Sequence, residues 1–153
     1  MEVRLATLND VDALRPLLTE FFAYNANLQP LYCYADDESG EYPKNMIEND
    51  NADFLIALDK DIAVGFIHIS QMKTPPYGSV IPHNYAEIMA FMVTASRRGQ
   101  GIGSKLIDAA KQWSKDRNLD YIELISFTNA DAANSFYDSK DFATVLHLRR
   151  HML

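Results

Sequence analysis

Three glycines on alternate positions, Gly99, Gly101 and Gly103, follow a pair of arginines, Arg97 and Arg98. They fall within residues 93–104, which read Val-Thr-Ala-Ser-Arg-Arg-Gly-Gln-Gly-Ile-Gly-Ser. Before them, the apolar run Ile88-Met89-Ala90-Phe91-Met92-Val93 reads as a buried strand. After them, Ile102, Leu106, Ala109, Ala110 and Trp113 carry the spacing of one helix face. Glycines at a strand-to-helix junction let the backbone approach a ligand closely, and the unpaired N–H groups of the first helical turn point at it. Those donors and the helix dipole favour negative charge, so the turn suits a phosphate, with Arg98 as a fixed cation beside it. A ligand-free tight turn would need neither the three glycines nor the two arginines.

The P-loop pattern closes on Gly-Lys-Ser/Thr, whereas here Gly103 is followed by Ser104 and only then Lys105. A standard nucleoside-triphosphate site is thereby excluded. A dinucleotide fingerprint fits better, as Gly99-x-Gly101-x-x-Ser104 with Glu123 as a ribose partner. That fingerprint usually opens a doubly wound domain, for which too little chain follows Ser104. The stretch resembles instead the acyl-CoA loop of the GNAT N-acetyltransferases, whose signature Gln/Arg-x-x-Gly-x-Gly/Ala stands here as Arg98-Gly99-Gln100-Gly101-Ile102-Gly103. With the flanking strand and helix and the later motifs, the resemblance covers essentially the whole chain.

The resemblance implies an α/β fold, a single domain over residues 1–153 with a mixed central sheet flanked by helices, and acetyl-CoA as cosubstrate. It assigns Arg98, Gly99, Gln100, Gly101, Ile102, Gly103 and Ser104 to the coenzyme's diphosphate. It assigns the backbone of Phe91, Met92 and Val93 to the pantetheine arm, bound as if it were another strand, with an N–H near Val93 polarising the thioester carbonyl. Asn129 matches the family's cofactor-contacting asparagine, although it precedes Tyr137 by eight residues where the family spacing is seven.

Acetyl transfer to an amine needs a base for the amine proton and an acid for the departing thiolate. Glu87 is the candidate base. It stands six residues before Val93 among apolar neighbours, where partial desolvation raises a carboxyl pKa. Its spacing resembles the histone-acetyltransferase branch, without making histones the substrate; a solvent-facing glutamate on an alternating strand is the structural alternative. Tyr137 matches the tyrosine of the family's Tyr-x-x-x-Gly-Phe, which is placed to protonate the CoA thiolate. Here Asp141 replaces the glycine, a residue that tolerates positive φ better than most. Core packing beside Phe136 and Ala133 is compatible with that role.

The chain has 153 residues, 48% hydrophobic and 23% charged, the composition of one soluble globular domain. No apolar run approaches a membrane span, and the N-terminus lacks a signal-peptide pattern. The lone Cys33 excludes an internal disulfide and a thiolate metal site, reads as a small hydrophobe, and agrees with a cytoplasmic location. A net charge of −7 argues against nucleic acid as a partner and suits a cationic substrate, although solubility alone accounts for it equally well.

In chain order, residues 3–6 read as a strand, then Thr7 or Asn9 caps a helix with the face Val11, Leu14, Leu18, Phe21 and Phe22, which Pro16 bends or limits. Residues 25–51 read as loop plus short helix, mixing Tyr32, Tyr34 and Tyr42 with Asp36, Asp37, Glu38 and Glu41. The family places its acceptor-side cover there, and such a mixture suits an ammonium group. Strands at 53–58 and 62–69 are joined by Asp59-Lys60-Asp61, with Gly65 marking a bulge or close approach. His68 reads as a structural partner. Tyr77 and His83, on a proline-rich connection, are further acceptor contacts. Strands follow at 85–93 and 121–127, the glycine loop and its helix between them, then a helix at 130–140 capped by Asn129, and residues 142–152 as a final strand closing the sheet.

The chain thus reads as an N-acetyltransferase moving acetyl from acetyl-CoA directly to a primary amine of a small molecule or peptide, with no metal, nucleic acid or membrane partner. A non-catalytic acyl-CoA-binding module of the same fold and a small dinucleotide-binding oxidoreductase are the rival readings. Polyamine, aminoglycoside, amino acid and protein N-terminus all fit as acceptor. Family members are often dimers, so a homodimer belongs among the expected partners.

Overall fold

The computed structural model describes residues 1–35 and 40–153, so Asp36, Asp37 and Glu38 lie outside the described residues. β1 (Glu2–Leu5) leads through a 3₁₀ turn (Leu8–Asp10) into α1 (Val11–Leu28), followed by α2 (Tyr42–Ile47). β2 (Ala52–Asp59), β3 (Ile62–Lys73) and β4 (Asn84–Val93) come next, then α3 (Ile102–Asp116), β5 (Ile122–Leu124) and α4 (Asp131–Asp138). The five strands form one sheet in sequence order. β1 to β4 pair antiparallel, while β5 runs parallel to β4, which the crossover through α3 makes possible.

Local chemistry accounts for the joints. Lys60 and Asp61 both take positive φ, 50° and 67°, as a two-residue hairpin turn requires if it is to follow the strands' twist. Gly65 shows both expected features. Val64 is an extra residue where Leu58 opposes Ala63 and Ala57 opposes Gly65, and a Cβ on Gly65 would lie 2.8 Å from the Met92 carbonyl oxygen.

A second bulge organises the molecule. His68 opposes Ala90 and Ile69 opposes Ile88, leaving Met89 without a partner on β3. The side-chain alternation of β4 therefore reverses at Met89. Ala86 and Ile88 face the core under α3, with Leu55, Ile67, Leu106, Ile107 and Trp113; past the bulge Ala90 and Met92 face the core under α1, with Leu14, Leu18, Phe54 and Phe66. One strand thus serves both faces.

Three expectations need correction. α1 runs through Pro16, because the buried Leu14, Leu17 and Leu18 hold both halves on the sheet. That burial outweighs one lost main-chain bond. The residue capping α4 is Ala130, since the Asn129 amide is engaged elsewhere. Residues 142–152 form no strand. Phe142 packs against the α3-side core, but no later described residue makes a main-chain hydrogen bond to another described residue. Val145, Leu146 and Leu148 are 78%, 85% and 81% exposed. A strand exists only against a partner edge, and this segment does not reach one in its own chain.

Candidate active site

β4 and β5 pair only from Ala86 to Ile88 and from Ile122 to Leu124. Beyond that the strands part. Residues 89–93 of β4 and 125–127 after β5 line a cavity of about 660 Å³, within the range of small-molecule sites. α1 contributes Phe21, Tyr24, Asn25 and Leu28 to its wall, and α4 contributes Ala133, Phe136 and Tyr137. The edge of β4 facing the gap has no strand partner over Met89, Ala90, Phe91, Met92 and Val93.

The glycine loop forms the head of this cavity, through Arg98, Gly99, Gly101, Ile102, Gly103 and Ser104. Gly99 and Gly101 take φ of 73° and 77°, the left-handed region that favours glycine. The first main-chain bond of α3 runs from the Lys105 N–H to the Gly101 carbonyl at 3.2 Å. Among the described residues, the N–H groups of residues 99–104 have no acceptor, as the start of a helix dictates for its first turn. A Cβ on Gly103 would lie 3.2 Å from Phe136 Cζ and 3.3 Å from Phe91 Cζ, so glycine lets the first turn of α3 sit against both rings. The loop thus has the conformation and the free donors that a diphosphate needs. Gln100, grouped with them by sequence, does not line the cavity.

Arg98 is held in place. Its Nε donates to the Val93 carbonyl at 2.9 Å, its guanidinium lies 5.7 Å from the Tyr24 ring centroid, and Nη2 is 3.7 Å from Glu20 Oε1. Glu20 also accepts from the Thr94 hydroxyl at 2.7 Å and the Ala95 N–H at 2.8 Å. One carboxylate therefore ties α1 to the approach of the loop.

Tyr137 lines the cavity among Phe91, Phe136 and Phe142. Burial pushes its pKa to about 12, so the phenol keeps its proton at neutral pH. Its hydroxyl has no hydrogen-bond partner among the described residues. Asp141 takes φ of 65°, the positive value that the family's glycine would supply, so the turn after α4 is kept despite the replacement.

Glu87 lies just outside the cavity, which begins at Ile88. Across the sheet it opposes Ser70 on β3 and Glu123 on β5. Partial burial, and then the Glu123 carboxylate, raise its pKa above the usual range. Tyr85 and Tyr121 stack at 5.0 Å beside the pair. Asn129 does not line the cavity; its amide donates to the Leu28 carbonyl at 2.9 Å and accepts from Gln29 at 3.1 Å, joining the end of α1 to the entry of α4. Tyr77 and His83 also lie outside, with His83 Nδ1 2.8 Å from Asp120. His68 is structural. It is stacked on Phe54, accepts at Nδ1 from the Tyr42 hydroxyl, and burial lowers its pKa to about 4.

Sequence reasoning missed Glu20 and the cavity-lining Tyr24, Asn25 and Leu28. The last two continue the spacing of Leu14, Leu18 and Phe21 by one and two further turns. Glu20 carries no comparable signal, since its partners are 74 and 75 residues away.

The profile of the acetyltransferase (GNAT) family matches residues 11–142. The chain belongs to the GNAT acetyltransferase family. Solved structures share the fold along its whole length. A mutant of the BH1408 protein from Bacillus halodurans superposes with a TM-score of 0.94 at 20% identity, covering 100% of this chain and 99% of that one. An aminoglycoside acetyltransferase from an uncultured soil metagenomic sample, in complex with trehalose, gives 0.74 at 19% identity, with 99% and 96% covered. The aminoglycoside N-acetyltransferase AAC(6')-Iy in complex with CoA gives 0.73 at 14% identity, with 99% and 100% covered. No curated protein matches this GNAT chain. Among the described residues, no helix is long and apolar enough to cross a membrane, and no cluster of three or more His, Cys, Asp or Glu side chains could hold a metal ion.

Proposed function

We propose that this GNAT protein transfers the acetyl group of acetyl-CoA directly to a primary amine of a small cationic molecule or peptide, in the cytoplasm. The observation that carries the reading is the row of acceptor-free N–H groups in the loop of residues 99–104, opening onto the gap between β4 and β5. The loop holds the diphosphate, and the open edge of β4 from Phe91 to Val93 pairs with the amides of the pantetheine arm. An N–H at that edge polarises the thioester carbonyl.

The acceptor comes from the α1 side, where Glu87 and Glu123 attract an ammonium group. Glu87 takes the amine proton through a water, since it stands outside the cavity wall. The amine nitrogen bonds to the acetyl carbon, the carbon–sulfur bond breaks, and Tyr137 donates its proton to the thiolate. The aminoglycoside enzymes of this fold make polycationic sugars one acceptor class to test, beside polyamines and peptides.

That Glu87 lies outside the lining favours the alternative of a binding module that does not turn over. Thioester consumption against a panel of amines separates the two. Turnover with at least one cationic amine, reduced roughly 10²–10⁴-fold in Glu87→Gln, is the expected result; tight CoA binding with no amine consumed would leave the module.

A further inference from the structure

We propose that Tyr24 backs Tyr137 in the reaction, its hydroxyl donating to the Tyr137 oxygen and restoring the proton that Tyr137 gives to the leaving sulfur. The inference rests on the acetyl transfer proposed above. The two phenols come from opposite faces of the sheet. Tyr24, on α1, packs against the half-core that holds Leu14, Leu18 and Met92. Tyr137, on α4, lies against Phe91 and Phe142, which pack on the half-core under α3. Side chains from the two faces can meet where β4 and β5 part, and both tyrosines line the cavity there. Among the described residues, neither hydroxyl has a hydrogen-bond partner.

Both rings are anchored to one strand edge. Arg98 sits 5.7 Å from the Tyr24 ring centroid and donates to the Val93 carbonyl at 2.9 Å. The Tyr137 ring centroid is 6.2 Å from that of Phe91. Phe91 and Val93 are two residues apart on an extended chain, roughly 7 Å. The phenols therefore bracket the stretch of β4 assigned to the pantetheine arm and its thioester. Of the other hydroxyls lining the cavity, that of Ser126 already donates to Asn134 at 2.7 Å, and Ser104 belongs to the glycine loop.

The chemistry leaves such a donor a task. An alkyl thiol titrates near 8.5, so Tyr137, at about 12, gives its proton to sulfur uphill by roughly 3.5 units. The phenolate left behind is disfavoured by burial, and the Tyr24 phenol is near enough to be felt at the same oxygen. A hydroxyl donating to that phenolate makes a charge-assisted hydrogen bond, among the stronger kinds. In sequence, the carbon–sulfur bond breaks, its electron pair takes the Tyr137 proton, and the Tyr137 oxygen takes the Tyr24 proton. Tyr24, half-buried on the wall, is refilled from water. The count closes with the proton that Glu87 hands on from the amine.

Tyr24→Phe keeps the ring against Arg98 and removes the hydroxyl alone; calorimetry with CoA checks that this chain is folded. It should lower kcat about tenfold and leave both KM values within about twofold. In a Tyr137→Phe chain it should cost nothing further, because the two groups act in series. A readout that needs no turnover is the titration of bound CoA, followed by the carbon-13 resonance of the methylene beside its sulfur. Hydrogen bonds to a thiolate hold its pKa down, so Tyr24→Phe should raise the bound thiol's apparent pKa by about half a unit. In the Tyr137→Phe chain it should leave that value unmoved. Losses that multiply in the double variant, an effect confined to the amine KM, or a bound thiol indifferent to the Tyr24 hydroxyl would each overturn the proposal. A wild-type chain that binds CoA but consumes no amine would remove the transfer reading instead, and the titration would then decide the part of Tyr24.

Discussion

At Glu87 two effects act on the same proton. Burial disfavours the charged carboxylate, and Glu123 across the β4–β5 pair disfavours it further, so both hold the pKa up. A base works when deprotonated, so kcat/KM should rise with pH through an apparent pKa above that of an ordinary glutamate. Replacing Glu123 with Gln removes the like charge and should move that limb to lower pH; Glu87→Gln should erase it and lower kcat by roughly 10²–10⁴-fold. A limb unmoved in both variants would assign the titration to another group. Tyr137 behaves differently. With a pKa near 12 it stays protonated throughout the working range, so Tyr137→Phe should lower kcat by about 10²-fold and leave the acidic limb in place. Both positions were singled out in the sequence by the resemblance to the family's motifs. The position of Glu87 relative to the cavity was not legible, because it depends on where β4 and β5 part.

The elements around the cavity were legible to different degrees. The unit β4–loop–α3 stands out because an apolar run, three glycines and a helical face follow one another without interruption. β5 was read too long, at 121–127 against Ile122–Leu124. Its apolar residues continue past Leu124, but they turn to line the cavity instead of pairing, and one-dimensional pattern cannot separate those fates. Asn129 was read as the cap of α4 from its type and as a cofactor contact from the family's motif; Ala130 takes the cap position, and the Asn129 amide bonds the end of α1. The glycines make the sharpest predictions at this scale. Gly101→Ala places a Cβ at φ 77°, at a cost of roughly 1–2 kcal/mol. Calorimetry should show CoA binding weakened by about tenfold if the loop distorts to relieve it. Gly65→Ala forces a contact with the Met92 carbonyl and should cost about 1–3 kcal/mol. That is a fall in Tm of roughly 2–10 °C for a chain of this size, with little change in CoA affinity.

Across the whole molecule, two buried polar groups set the acid limit of stability. His68 is neutral in its stack with Phe54, and its folded pKa of about 4 lies below the unfolded value of about 6.5. Its contribution is therefore complete above pH 6.5 and is lost as pH falls toward 4, by an amount on the order of 3 kcal/mol. Asp10 accepts two hydrogen bonds from Arg4 and two from Thr7, which hold its carboxyl well below the usual range. Its contribution persists until lower pH. Melting temperature should thus begin to drop below pH 6.5, and His68→Gln should flatten that first decline while sparing the later one. Loss of the first decline in an Asp10→Asn chain instead would reassign it. The unpaired Met89 carries a consequence of a different kind. Because side chains alternate with period two, the half-cores beneath α1 and α3 are kept in phase by the parity of a single strand. Deleting Met89 would make Ile88 and Ala90 adjacent, as their partners Ile69 and His68 already are, so Ala90 to Val93 would keep their partners and faces. The chain should still fold. What the deletion removes is the bend that the bulge puts into β4 beside the cavity, to be read as weaker CoA binding at little cost in Tm.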